Sequence, residues 1–472
     1  ATPCTRHSPT VSDLIARDLA ALWHPCSQMR DYHAFPPLEV VGAQGSRLHL
    51  ADGSHLIDAI ASWWCKSLGH GHPRLRAALV AQAEAFEHVI LANTTNAPVV
   101  RLCERLIALG NGLGPAAWGP NAAPGRVPGW FGKVFFAGDG STAVEIALKL
   151  ALQAQAQLGR PRRTRFAALA GGYHGETLAA LSVGDCGLYK DTYAPLLFPC
   201  TMLTGLPGRS GAADRDWQDA EVEWPAIERQ LVPLADDLAA IIYEPVLQAA
   251  GGMRLYSPDL LRRLRAWADA HDVLLIADEI ASGMGRCGTM LASHLSAVLP
   301  DLAVLSKGLT GGFLPLSAVL VTDRLYAAFD ADYAAGKAFL HSNTYTGNAL
   351  AVAVANAALD VYADEDVLGQ VSRRGPLLQT GLTELARTRP WLRDVRGVGM
   401  VAAVDLRARD GAALDPRLRT GYRVFQQAVR RGALLRPLGD TMYLFPPLTI
   451  GVEDISATLR ILGDSIDAVL GG

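Results

Sequence analysis

The chain alternates short, nearly unbroken apolar runs with longer segments in which apolar positions recur every three to four residues. The runs are Lys133–Phe136 (KVFF), 166–170 (FAALA), 239–244 (AAIIYE), 273–278 (VLLIAD), 302–306 (LAVLS) and 317–322 (SAVLVT). Runs of this length and composition read as strands buried on both faces. Between them, Thr142–Leu158 reads as a helix, with Thr142 and Glu145 spaced as a capping box. Pro258–His271 reads as another, because Leu260, Leu261, Leu264 and Trp267 keep a helical period. Strands of this kind alternating with helices predict an α/β fold with a mostly parallel central sheet. Two Gly/Pro-rich stretches, 110–130 and 204–217, read as loops.

The pattern changes toward both ends. Residues 47–60 (RLHLADGSHLIDAI) read as a hairpin turning at Asp52–Gly53. Beyond about residue 350 come long Ala-rich helices, followed by the apolar segments 396–406 and 442–450. The expected organisation is a large domain over 62–350 and a smaller α+β domain made from 1–61 and 351–472.

Composition narrows the function. With 472 residues, 50% of them hydrophobic and 19% charged, the chain is not disordered. The net charge of −3 and the lack of a basic run speak against a nucleic-acid partner. No apolar stretch approaches the ~18–20 residues that span a membrane. Residues 1–14 lack the apolar core of a secretory signal. Seven scattered cysteines (Cys4, Cys26, Cys65, Cys103, Cys186, Cys200, Cys287), odd in number and without a CxxC pair, suit reduced thiols in a cytoplasmic protein and no metal site.

Of 43 basic residues only six are lysines: Lys66, Lys133, Lys149, Lys190, Lys307 and Lys337. Lys307 alone follows an apolar strand directly and precedes a glycine-rich turn, GLTGG. In a parallel sheet, ligands sit beyond the carboxyl ends of the strands. A lysine there can have a lowered pKa and act as a nucleophile. Asp278 ends VLLIAD at the same kind of position. It is a candidate partner for a protonated pyridine nitrogen, with Glu279 as a competitor and helix capping as the bland reading. Gly138–Thr142 (GDGST) joins a strand to a helix N-terminus, where a phosphate is favoured. Tyr173 follows FAALAGG and could stack on a flat heterocycle; the adjacent His174 reads as a core or turn histidine. Each segment alone suits a turn or a cap equally well. Together they supply a Schiff-base lysine, a ring-nitrogen carboxylate, a phosphate cradle and a stacking aromatic, the set that pyridoxal 5'-phosphate needs.

On these segments the chain resembles the class III, fold-type I aminotransferases. The matching pieces are GDGSTAVEIALK (138–149), GGYHGET (171–177), YEPVLQAAGGM (243–253), LLIADEIASGMGRCG (274–288), LSKGLTGG (305–312) and HSNTYTGN (341–348). Narrower pieces are LWHPCSQM (22–29), ASWWCKSLGHGHP (61–73) and LLRPLGDTMYLFPPL (434–448). They resemble the branch of the class that aminates 8-amino-7-oxononanoate from S-adenosylmethionine in biotin biosynthesis. The resemblance implies that Lys307 carries the cofactor and Asp278 pairs with its ring nitrogen. Gly140 and Ser141 would hold the phosphate, and Tyr173 would stack on the ring. Ser342 and Thr344 match a segment that reaches the phosphate from a partner subunit, which implies a homodimer with shared sites. Trp63, Trp64, Tyr173 and Tyr443 would line the substrate pocket, and Arg436 would take the substrate carboxylate. Glu244 and Arg286 match class positions whose role is structural or direct.

The sequence departs from the pattern at three places. Cys26 stands where well-known members have tyrosine, Glu176 where aspartate is frequent, and Ser342–Asn343 where some have Gly-Pro. Two neighbouring activities share these motifs: the same acceptor with lysine as donor, and another class III transamination of ω-amino acids or diamines.

Overall fold

A computed structural model describes residues 12–471. Cys4 and the N-terminal stretch judged against a secretory signal fall largely or wholly outside the described residues.

Near the N-terminus, β1 (Val40–Gln44), β2 (Arg47–Leu50) and β3 (His55–Asp58) form an antiparallel meander. The β2–β3 turn is the expected one, and Asp52 Oδ1 accepts from the Ser54 amide at 2.9 Å. The central sheet has seven strands: β4 (Phe131–Ala137), β5 (Arg165–Leu169), β6 (Cys200–Leu203), β7 (Leu238–Tyr243), β8 (Leu274–Asp278), β9 (Leu302–Leu305) and β10 (Ser317–Thr322). Their spatial order is β4-β10-β9-β8-β7-β5-β6. Only β10 runs against the rest.

The apolar runs are explained by two-sided burial. Every residue of β7, β8, β9 and β10 is buried. Side chains alternate faces along a strand. Ile241 and Leu275 therefore pack with Leu260, Leu264 and Trp267 of α2 (Pro258–Ala270). Their neighbours Ile242 and Ile276 pack with Val144, Ala147 and Ala151 of α1 (Gly140–Gln157).

Two expectations change in detail. The α1 cap is not a Thr142–Glu145 box. Asp139 is the N-cap and accepts from the Thr142 amide (2.9 Å) and hydroxyl (2.7 Å), while Glu145 accepts from the Ala179 amide. A carboxylate one turn earlier than Thr142 outcompetes its hydroxyl for the free amides. The Gly/Pro-rich stretches are also more ordered than loops. Residues 110–130 hold a helical turn, Pro115–Trp118, whose Trp118 is buried. In 204–217, Gly208–Arg209 pairs with Leu255–Tyr256 and Trp217 is buried.

The C-terminal part begins with α3 (Ala349–Asp364) and α4 (Val367–Arg387). It continues as β11 (Leu392–Val398), β12 (Val401–Leu406), β13 (Ala433–Leu434), β14 (Thr441–Leu444) and α5 (Val452–Leu470). β11, β12 and β14 form an antiparallel sheet. β13 instead pairs in parallel with β3, setting Leu434 beside Asp58. Both chain ends thus meet in one four-stranded sheet. Just past β3, Ala59 donates to Leu434 O (3.2 Å) and accepts from the Phe445 amide (2.8 Å). No described helix is long and apolar enough to cross a membrane.

Asp301 ties the sheet to its helices. It is fully buried and accepts from Arg265 and Arg324 (both 2.8 Å) and from the Leu275 amide (2.9 Å). Without Asp301 the buried Leu275 amide has no acceptor and Arg265 keeps only the exposed Asp269 as a partner, and an unsatisfied buried donor costs about 1–3 kcal/mol. Asp301→Ala is therefore expected to lose that much stability, measured as a fall in the urea midpoint.

Candidate active site

Register brings the key side chains to one edge of the central sheet. Asp278 of β8 lies beside Val304 of β9, and Ala277 beside Tyr243 of β7. Ala137, which ends β4, lies opposite Ser317, which begins β10. The loops after β4, β5, β7, β8 and β9 consequently open on the same side. They enclose a cavity of about 230 Å³ lined by Ser141, Tyr173, Glu244, Asp278 and Lys307, among others.

Lys307 follows β9 by two residues, and its backbone is left-handed (φ +42°). Its side chain is half-buried on the pocket wall. Burial lowers its pKa, against the opposing pull of Asp278 and Glu244. Asp278 is buried and ligated by protein. Its Oδ2 is 2.8 Å from His174 Nδ1, and its Oδ1 accepts from the Ile280 amide at 3.1 Å. Its rival Glu279 turns away, accepting from the Ala292 and Ser293 amides (both 2.8 Å) and from the Ser282 hydroxyl (3.2 Å). Glu244 is buried beside Asp278, and burial pushes its carboxyl up to about 7. It accepts from the Tyr173 and Ala249 amides, both at 2.9 Å.

The loop after β4 is capped by its own Asp139, so Gly140 and Ser141 open α1 with amides that have no partner within the helix. The 173–176 segment closes over them. The Glu176 amide donates to Ser141 Oγ at 3.2 Å. Gly175 lies so close to Ser141 Oγ that no Cβ would fit, and its φ of +117° suits glycine alone. The Tyr173 hydroxyl donates to Glu176 Oε1 at 2.9 Å; burial first, and then this bond, raise its pKa.

A second cavity, of about 790 Å³, is lined by Cys26, Trp63, Tyr189, Arg436 and Tyr443, among others. Arg436 packs on Trp63, its Cζ 4.4 Å from the ring centroid, and donates to Cys26 O at 3.0 Å. Among the described residues it has no carboxylate within ion-pairing distance. Cys26 Sγ lies 3.3 Å from Tyr189 OH. Trp64 forms the partition between the cavities. Its indole N–H donates to Tyr443 OH at 3.1 Å, and its ring centroid is 5.4 Å from Lys307 Nζ. Behind it, the Phe445 ring packs tilted at 5.6 Å, with the buried Arg286 guanidinium 3.8 Å from the Phe445 ring. The Lys307 loop presses against this wall: a Cβ on Gly312 (φ +69°) would come within 2.5 Å of Cys65 O.

Comparison with known proteins places this geometry. The family model "Aminotransferase class-III" matches residues 27–466. The chain belongs to the class III aminotransferases. A class III relative from Synechococcus elongatus, an adenosylmethionine-8-amino-7-oxononanoate aminotransferase, is 39% identical over 95% of this chain and 99% of its own. The crystal structure of the enzyme of the same name from Methanocaldococcus jannaschii superposes with a TM-score of 0.86, at 29% identity over 97% of this chain and 99% of that one. An amine transaminase from an uncultivated Pseudomonas species, in its PLP-bound form, superposes with a TM-score of 0.85, at 32% identity over 95% and 99%.

Class III enzymes use pyridoxal phosphate, and the residues present fit it. The smaller cavity combines a helix N-terminus for an anion, a buried carboxylate for a ring cation and an amine with lowered pKa. His174 Nε2 is buried without a partner in that wall, which marks a polar site and not a sealed core. Of the expected site residues, Gly140, Ser141, Tyr173, Asp278, Lys307 and Trp64 meet at this cavity, and Trp63, Arg436 and Tyr443 at the larger one. Ser342 and Thr344 are exposed and line neither; Thr344 O instead accepts from His88 at 2.9 Å. Two contributors escaped the sequence reading. His174 reads as a core histidine, although it adjoins Tyr173. Tyr189 had no local signal; folding alone brings its ring 5.9 Å from Tyr173.

The lowered Lys307 pKa carries a stability consequence. Between its folded pKa and the ordinary 10.5, the unfolded chain binds a proton that the folded one lacks, so stability rises with pH through that window. Cofactor-free Lys307→Met is expected to melt above the cofactor-free parent at neutral pH, with the gap closing as pH rises toward 10.5, measured by differential scanning calorimetry.

Proposed function

We propose that the protein transfers the amino group of S-adenosylmethionine to 8-amino-7-oxononanoate, forming 7,8-diaminononanoate for biotin biosynthesis. The observation that carries the reading is Arg436. Its guanidinium lines the larger cavity with no carboxylate partner among the described residues and packs over Trp63, and Trp64 stands between Tyr443 of that cavity and Lys307. A long apolar substrate ending in a carboxylate suits that layout. Arginine grips the carboxylate, the indoles cover the methylenes, and the keto end reaches Lys307. The relatives that carry the name of this reaction support it.

Pyridoxal phosphate, when bound, supplies an aldehyde carbon to receive the amine and a protonated ring that draws electrons from it. The amides of Gly140 and Ser141 and the Ser141 hydroxyl would hold its phosphate. Tyr173, its hydroxyl bonded to Glu176, would cover the ring. Asp278, steadied by His174, would keep a proton on the ring nitrogen. Lys307 would hold the cofactor, and its Nζ, when free and neutral, is placed to take a proton from a substrate carbon at the pocket wall and to return it, as general base and acid in both half-reactions. Trp64 and Tyr443 exclude water from this path. On this reading Ser342 and Thr344, exposed on one chain, serve the phosphate of a partner subunit in a homodimer. The protein acts in the cytoplasm, with its large domain at 62–350.

The deciding experiment follows diamine formation from 8-amino-7-oxononanoate with S-adenosylmethionine, lysine or β-alanine as donor. Turnover with S-adenosylmethionine is expected; turnover only with lysine, or only of β-alanine with another acceptor, overturns the assignment. Lys307→Ala is expected to abolish both half-reactions. Arg436→Met is expected to raise the acceptor KM about 10–100-fold, the loss of a charged hydrogen bond of about 1.5–3 kcal/mol, with kcat little changed.

A further inference from the structure

The two tryptophans stand on an unusual piece of backbone. Ala61, Ser62, Trp63 and Trp64 have φ of +47°, +44°, +69° and +75°. The Trp64 amide donates to Ile60 O (2.8 Å) and the Cys65 amide to Ala61 O (3.0 Å). This is one turn of left-handed helix with no glycine in it. Chirality disfavours each of those residues there, so the turn persists only where its surroundings impose it.

The surroundings are specific. Asp58, at the end of β3, is fully buried and sends both carboxylate oxygens into the turn. Oδ1 accepts from the Ile60 (3.3 Å) and Ser62 (3.0 Å) amides. Oδ2 accepts from the Ser62 hydroxyl (2.8 Å) and lies 2.8 Å from His70 Nε2. His70 is fixed in turn: its amide donates to Gly45 O (2.7 Å) and its carbonyl accepts from the Gly45 amide (3.0 Å). Burial pushes the Asp58 pKa up, but His70 and the Ser62 donors outweigh it and hold the carboxylate charged. Neither Asp58 nor His70 lines either cavity.

We propose that Asp58 and His70 are positioning residues for substrate: the pair locks the left-handed turn that lays Trp63 under Arg436 and Trp64 against Lys307 and Tyr443. The inference rests on the reading that the larger cavity takes the acceptor. It assigns acceptor binding to two residues that touch neither substrate nor cofactor. Pairing of β13 with β3 makes the lock effective, because it fixes Arg436 relative to Asp58. A shift of the turn would therefore part Trp63 from Arg436 rather than carry both along.

The test uses the holoenzyme and the variants Asp58→Asn, His70→Leu, His70→Gln and Asp58→Asn/Ala61→Gly. In Asp58→Asn and His70→Leu the acceptor KM is expected to rise at least tenfold. The visible absorbance of bound cofactor should stay, and kcat should change less than KM. His70→Gln should recover most of the loss seen in His70→Leu, since its amide can still donate to Asp58. Ala61→Gly should partly restore the Asp58→Asn enzyme, because glycine accepts positive φ freely. An acceptor KM within twofold of the parent in His70→Leu and in every folded Asp58 variant overturns the proposal. So does an Ala61→Gly double variant no better than Asp58→Asn. If Asp58→Asn does not fold, the two His70 variants decide. If the parent enzyme does not aminate 8-amino-7-oxononanoate, the substrate reading falls by itself. The lock is then judged by near-ultraviolet circular dichroism: a change in His70→Leu as large as that in Trp64→Phe supports it, and an unchanged spectrum overturns it.

Discussion

The parallel pairing of β8 with β9 is the constraint on which the site depends. Asp278 and Val304 are level across the ladder, and three residues beyond Val304 comes Lys307. A one-residue slip in that register would turn Asp278 to the other face of the sheet. It would also bury Ile276 and Ala277 against the wrong helices. The slip is prevented by packing rather than by polar contacts: α1 closes one face of both strands, α2 the other face of β8, and a core that includes Leu106, Leu309 and Val352 the other face of β9. The geometry of a reactive amine and its carboxylate is thus secured by aliphatic side chains that take no part in chemistry.

On that rigid edge the charged groups are arranged by contrast. Asp278 is supplied with donors and stays where a cation can use it. Glu244, in the same wall, receives two backbone amides yet is pushed toward neutrality by burial. Glu279 is neighbour to Asp278 in sequence but spends its oxygens on the 292–293 backbone. Three buried carboxylates in one region therefore have three different sets of partners, each fixed by the loop it stands on.

Much of this was legible in the sequence. The strands were visible because two-sided burial leaves an apolar run, and Lys307 was visible because lysine is scarce and this one ends such a run. Asp278 was harder to tell from Glu279, because adjacent carboxylates differ only in the direction of their side chains. The α1 cap was misplaced by one turn, since Asp139 and Thr142 are both good caps and only the fold decides between them. Trp118 and Trp217 lie in stretches that read as loops, because glycine and proline announce turns but say nothing of what packs beneath them. The left-handed turn at 61–64 left no trace, as none of its residues is the glycine that positive φ ordinarily selects. His70 is twelve residues from Asp58, and only the β1–β3 meander makes them neighbours.

The pairing of β13 with β3 has a consequence in time. A ribosome delivers the chain in order, and domains assemble as their residues emerge. Every strand that frames Lys307 and Asp278 is complete by Thr322, whereas Arg436 and Tyr443 arrive more than a hundred residues later. Until then β3 ends in an open edge, Ala59 lacks both of its backbone partners, and the wall between the two cavities has no far side. The growing chain therefore carries Lys307 and Asp278 long before it carries Arg436 and Tyr443, the far wall of the larger cavity.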